Sequence, residues 1–165
     1  MQLKNQVEWA LHCCAILVGL GPDRHLPTKD LAELHGVPKE YLSKALQALS
    51  QAGIVEGTLG PSGGYRLARP AGAITFLNIA EAVEGKGSSF ACTEIRKNNP
   101  CRGSMSGAAA GDSRPCAIAR VMWEADRAWR ESLNGVSLAD LAKTLEKTVP
   151  APLLKKTAAW VEART

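Results

Sequence analysis

With 165 residues, 45% hydrophobic and 22% charged, the chain suffices for one cored unit with an appendage and is short for a catalytic α/β fold carrying its own cofactor domain. A formal net charge of +4 permits contact with phosphates without the extreme basicity of a non-specific nucleic-acid coat. No run reaches the roughly 18 apolar residues of a membrane span and no secretory signal pattern is present, so the expected location is cytoplasmic, where five cysteines point to metal ligation or thiol chemistry rather than a disulfide framework.

From Val7 to Leu20, the apolar residues Val7, Leu11, Cys14, Ala15 and Val18 describe one buried face of a helix ended by Gly21-Pro22. Cys13 and Cys14 read as core packing. Thr28 is the expected N-cap of a second helix, Lys29 to His35, with Leu31, Ala32 and Leu34 inward and Gly36 as the exit turn. His35 then reads as a charge partner for the helix C-terminus. A third helix has Pro38 in its first turn, where a missing N–H is harmless, and runs through Leu42, Ala45, Leu46 and Leu49 to Gly53.

Ile54-Val55-Glu56 and Tyr65-Arg66-Leu67-Ala68 read as two short strands joined by a glycine-rich loop, a β-wing. Thr75 caps a fourth helix, Phe76 to Val83, closed by Gly85. Between Gly85 and Pro115 the sequence turns to Gly, Ser, Asn and Ala without a period, and this loop holds Cys92, Cys101 and a linker-like run from Gly103 to Gly111. From Cys116 onward Ile118, Val121, Met122, Ala125, Ala128, Trp129 and Leu133 mark a long amphipathic helix of the kind that pairs with a partner. Ser137 caps a helix from Leu138 to Leu145, and Pro150-Ala151-Pro152 precedes a last helical piece ending in Trp160.

Helix, tight turn, helix and wing compose a winged helix-turn-helix, so the fold class is mostly α with a small β-wing plus a long dimerisation helix. Such a head puts its second helix into a major groove about 12 Å wide while the first helix and wing hold phosphates. The outward side chains there are Lys39, Glu40, Tyr41, Ser43 and Lys44, and Thr28 sits where a helix N-terminus meets a phosphate. In the wing string GPSGGYRLARP, Ser62 and Gly63 stand beside Arg66, suited to a phosphate or minor-groove contact. The same fold also serves as a protein-contact module, and periodicity does not separate the two uses.

The segments YLSKALQALSQAGIVEGTLGPSGGYRLARP, ITFLNIAEAVEG, ACTEIR and PCAIARVMW resemble the Rrf-two superfamily of transcription regulators, which includes iron-sulfur members of the IscR and NsrR kind. VEWALHCC is similar to a redox-sensing 2Fe-2S subgroup of RsrR type. The resemblance implies a homodimer on double-stranded DNA, with an iron-sulfur cluster held by the cysteine loop and the partner's first helix. Three parts are then expected: a DNA-binding domain over 1–85, a cluster-binding loop over 86–115, and the dimerisation and C-terminal helices over 116–165.

Iron-sulfur clusters take soft thiolates, with carboxylate or imidazole replacing some of them. Glu8 and His12 are spaced i, i+4, on one helix face about 6 Å apart, although such a pair without a cysteine loop is ordinarily a solvated face. The cysteine gaps of eight and fourteen residues are wider than in members that ligate through three clustered cysteines. The resemblance of VEWALHCC to a subgroup whose first helix offers both a carboxylate and an imidazole implies a 2Fe-2S cluster with Cys101 and Cys116 on one iron and Glu8 and His12 of the partner subunit on the other. Alternatives are Cys92, Cys101 and Cys116 with one first-helix residue, or a 4Fe-4S cluster.

Trp9, next to Glu8, is expected to transmit a change in cluster charge. A symmetric dimer implies a two-fold symmetric operator and no membrane partner. No nucleophile, base and acid arrangement marks an enzyme. The rival reading is a cluster-free winged-helix regulator that senses thiols or metal, or binds a partner enzyme.

Overall fold

The computed structural model describes residues 3–21, 23–58, 60, 63–101 and 114–165. Along them run α1 (Asn5–Leu17), α2 (Thr28–His35), α3 (Lys39–Gln51), β1 (Val55–Gly57), β2 (Tyr65–Leu67), α4 (Phe76–Glu84), α5 (Ala117–Asn134), α6 (Leu138–Thr148) and α7 (Ala151–Glu162), with short 3-10 turns at Ala71–Ala73 and Ile95–Asn98. The chain groups into two compact units, Met1–Lys86 with Ser132–Thr165, and Gly87–Glu131. No helix among the described residues is long and apolar enough to cross a membrane.

In the first unit α1 is the central post, with α2, α3, α4 and α6 against it. Leu17, Leu26, Leu31, Leu42, Leu46, Leu49, Ile54, Ile74, Ile79 and Leu138 are each at most 1% exposed and form the core. Burial of each such side chain stabilises by about 1.5–3 kcal/mol. The buried stripe of α1 is Val7, Ala10, Cys13, Cys14 and Leu17, turned from the expected one: Leu11, Ala15 and Val18 are only half-buried. From Cys13 to Leu20 the chain is apolar nearly all round, so periodicity alone does not choose the inward face. The helix also ends at Leu17, before Gly21-Pro22, because i+3 bonds from Gly19 to Ile16 and from Leu20 to Leu17 tighten its exit.

The cap of α2 differs from expectation. Pro27, extended at φ −62° and ψ 147°, occupies the N-cap, and Thr28 is already helical. Gly36 ends α2 in the left-handed region at φ 62°, open to glycine without strain, and Pro38 opens α3. The wing pairs Val55 with Leu67, Glu56 with Arg66 and Gly57 with Tyr65, antiparallel. Reciprocal backbone bonds of 3.0 Å between Leu26 and Tyr65 stitch the wing to the segment before α2.

Thr75 and Ser137 cap α4 and α6 as expected, each in a closed capping box, with Asn78 and Asp140 respectively. These two starts lie side by side, Phe76 N–H donating to Val136 and Leu138 N–H to Ile74. α6 and α7 therefore share the winged-helix core: Leu138 and Val161 belong to its buried cluster.

In the second unit the backbone descends through Cys92 and the turn at Ile95–Asn98, then enters α5 at Ala117. On α5, Ala119 is buried, whereas Ile118, Val121, Met122 and Trp123 are 69%, 67%, 40% and 42% exposed. Arg130 pairs with Asp126, which accepts from Ser89 at 2.6 Å, so the chain after Gly87 is tied along the helix.

Candidate DNA-reading surface and metal-ligand site

The start of α3 presents polar groups outward. Lys39, Glu40, Tyr41 and Lys44 are exposed, and the Lys44 ammonium lies 5.8 Å from the Tyr41 ring centroid. Ser43 is half-buried, and its hydroxyl donates to the Lys39 carbonyl of its own helix at 2.8 Å, which leaves its lone pairs for a ligand. Thr28 is half-buried in the first turn of α2. In the wing, Gly63 is half-buried, and Arg66 forms an ion pair with Glu56 directly across the hairpin. Ser62 lies outside the described residues.

Glu8 and His12 are both exposed on α1. They line a 340 Å³ cavity with Trp9, Leu34, His35 and Val37. The His12 and His35 rings stand 5.6 Å apart, tilted by 52°. Burial first, and then His12, hold the His35 pKa below its usual value. His35 itself stands in the last turn of α2.

In the second unit Cys116 sits just ahead of α5. The backbone N–H groups of Ala119 and Ile118 favour its thiolate, with a smaller push from Arg96, so its pKa lies below the ordinary thiol value. Cys92 is half-buried, and its thiol faces the Glu94 carboxylate at 3.7 Å. Arg96 grips Glu94 at 2.6 Å and also donates to the Arg114 carbonyl, bridging the two arms of the loop. Cys92 and Cys116 line one 640 Å³ cavity with Phe90, Ile95 and Ile118. Cys101 is exposed, outside that lining, and its N–H donates to Asn99.

These donors suit a soft metal group on the thiol side and a borderline one on the α1 side. Among the described residues, no group of three or more His, Cys, Asp or Glu side chains is gathered to hold a metal ion.

The model of one protein family, described as Rrf2, iron-dependent transcriptional regulator, matches residues 3–144. The chain belongs to the Rrf2 family. Protein rrf2 of Nitratidesulfovibrio vulgaris is 32% identical over 144 residues, 87% of this chain and 88% of that protein. The HTH-type regulator YwgB of Bacillus subtilis is 28% identical over 138 residues, 84% of this chain and 82% of that one. Among solved structures, T. potens IscR has a TM-score of 0.66 at 22% identity, over 92% of this chain and 93% of that one. CymR of B. subtilis, described as the global cysteine regulator, also has a TM-score of 0.66 at 22% identity, over 87% of this chain and 98% of that one.

This Rrf2 protein is thus a transcriptional regulator with a DNA-binding winged-helix fold, and not an enzyme. Two features of the Rrf2 head escaped the sequence. Asp30, a charge at a polar-looking helix start, is buried, and His35 meets His12 across a helix pair. Both depend on residues far away in sequence, and neither carries a local signal.

Proposed function

We propose that this Rrf2 regulator acts in the cytoplasm as a homodimer, reads a two-fold symmetric operator with the start of α3 and the wing, and senses redox state through a 2Fe-2S cluster. Its ligands are Cys101 and Cys116 of one subunit with Glu8 and His12 of the partner subunit. The observation that carries the reading is that each unit offers an incomplete donor set: a carboxylate and an imidazole four residues apart on an exposed face of α1, and a thiol at the head of α5 that backbone N–H groups favour as thiolate. When bound, the cluster supplies one-electron oxidation and reduction.

The protein's part is mechanical. α1 packs on the reading helix α3, and Trp9 packs against the core while lining the cavity of Glu8 and His12. A change of charge beside Glu8 and His12 alters the forces on α1. About 1.4 kcal/mol between two postures of the head changes operator affinity tenfold.

A second ligand set, Cys92, Cys101 and Cys116 with one first-helix residue, is favoured by the common cavity of Cys92 and Cys116. Iron and sulfide analysis with absorption and EPR spectra on protein purified without oxygen separates the two sets, and a 4Fe-4S cluster from both. The first set expects cluster loss in Glu8→Ala, His12→Ala, Cys101→Ala and Cys116→Ala but not in Cys92→Ala; loss in Cys92→Ala with retention in Glu8→Ala or His12→Ala installs the second. A colourless, iron-free wild-type protein that still binds its promoter leaves a cluster-free regulator sensing thiols or metal, or binding a partner enzyme.

A further inference from the structure

α7 lies beyond residues 3–144, the part that matches the Rrf2 family model, yet the chain at its end is wired to the helix-turn-helix. Val161, 9% exposed, enters the core cluster, and Trp160 packs against it. The side chain of Arg164 follows with four interactions. Its guanidinium carbon lies 3.7 Å from the Trp160 ring centroid, and its Nη1 donates to the Trp160 carbonyl at 3.2 Å. Its Nε stands 3.5 Å from Asp30 Oδ1 and its Nη2 3.7 Å from Glu33 Oε1. Both acids belong to α2, the first helix of the reading head.

Asp30 is the buried charged residue among those described, at 6% exposure. A carboxylate so buried depends on its counter-charge, because removing one partner leaves the other charge uncompensated. It sits in the first turn of α2, the turn that carries Thr28, and α2 packs on α3. A planar guanidinium can stack on an indole and reach two carboxylates at once, which a lysine ammonium cannot reproduce. Arg24, on the approach to α2, adds two bonds of 3.2 Å to Glu162; that pair is exposed and holds little by itself. The weight falls on Arg164 and Asp30.

We propose that α7 is a clasp on the DNA-reading head and that Arg164, stacked on Trp160 and paired with Asp30 and Glu33, is a positioning residue for operator binding. It holds the first turn of α2 in the posture that meets a phosphate, and it acts through Asp30 rather than on DNA itself. Loosening the clasp lets α2 shift on the core, so affinity falls although no groove-facing side chain has changed. The inference rests on the winged-helix reading head alone and is independent of whether a cluster is bound.

The test uses the full chain and a duplex recovered by selecting random DNA against the wild-type protein, at a temperature well below every variant's melting point. Arg164→Ala and Asp30→Asn are each expected to weaken binding about tenfold. The double variant should be no weaker than either single one, because both cut the same link. Arg164→Lys should recover only part of the loss. The dependence of log Kd on log salt should keep the wild-type slope in all of them. A slope reduced by about one in Arg164→Ala, with Asp30→Asn at wild-type affinity, would make Arg164 a direct phosphate ligand and overturn the proposal. Unchanged affinity throughout, with lowered melting temperatures, would overturn it too and leave α7 a stabilising helix only. Should Arg164→Ala fail to fold, Arg164→Lys and Glu33→Gln carry the same comparison, and wild-type affinity in both overturns the clasp.

Discussion

Glu56 of β1 stands directly opposite Arg66 of β2, and their side chains form an ion pair across the wing. The Arg66 Nε is buried and not aligned for a hydrogen bond to Glu56, so the pair holds by charge. With side chains 32% and 46% exposed, it is worth less than about 1 kcal/mol. A phosphate competing for Arg66 must displace Glu56. Glu56→Gln is therefore expected to tighten DNA binding about threefold at low salt and to steepen the dependence of log Kd on log salt by up to about one. Fluorescence anisotropy over a salt series reads both. No gain in affinity and no change in slope would remove Arg66 from the phosphate contacts.

Gly64 is fixed by space rather than by flexibility. A Cβ built there would overlap the Leu26 carbonyl carbon and lie 2.5 Å from its oxygen and 2.7 Å from the Pro27 nitrogen. All of these are backbone atoms in the stitch between wing and α2, so nothing flexible can yield. Gly64→Ala is expected to destabilise the fold by about 1–3 kcal/mol, read as a lower urea midpoint with an unchanged slope. Gly72→Ala, whose nearest neighbour is the Ala139 methyl at 4.0 Å, should stay within about 0.5 kcal/mol of wild type. Equal effects at both positions would refute the steric account.

The sequence showed most where the code is local. Thr75 with Asn78 and Ser137 with Asp140 close capping boxes over three residues, and a spacing of three can be read off a string. The phase of α1 could not be, because apolar residues surround it and only the placement of α3, α4 and α6 decides which stripe is inward. At Thr28 a preceding proline took the cap, and an extended Pro27 is as compatible with a helix start as a capping hydroxyl. The ligand site was legible as residue types and not as geometry. Glu8 and His12 declare a shared face by their spacing, whereas the shared cavity of Cys92 and Cys116 depends on Arg96 bridging Glu94 and the Arg114 carbonyl, a fold of irregular chain with no period to detect.

The apolar face of α5 gives the dimer reading its own test. Ile118, Val121 and Met122 fall on one side of the helix, and the first two are about two-thirds exposed, an apolar face that a partner could cover. Covered by a second copy, a glutamate there would be buried without a partner. Val121→Glu is expected to shift the protein from dimer to monomer in sedimentation equilibrium at micromolar concentration, a loss of about 3 kcal/mol or more in association. Arg127→Ala, at an exposed position on the same helix, should leave the dimer intact. A Val121→Glu protein that sediments as a wild-type dimer would move the interface elsewhere.

The five thiols divide by chemistry as well as place. Cys116 has its pKa drawn below the ordinary 9.0 by the Ala119 and Ile118 N–H groups. Burial pushes Cys13 up to about 12, and burial together with Cys13 pushes Cys14 higher still. In metal-free protein, brief iodoacetamide treatment followed by peptide mass spectrometry should modify Cys116 at neutral pH, with a rate midpoint below 9.0, and spare Cys13 and Cys14 until the chain is unfolded. The raised pair also sets a direction for stability. A thiol that ionises later in the folded chain than in the unfolded one contributes stability fully present below pH 9.0 and lost as pH climbs from there toward the folded value. The melting temperature should therefore be level from pH 7 to 8.5 and fall above 9, and the fall should be shallower in a Cys13→Ala, Cys14→Ala double variant than in wild type. A wild-type curve with the same alkaline slope as the double variant would show that these thiols are not the groups that titrate on unfolding.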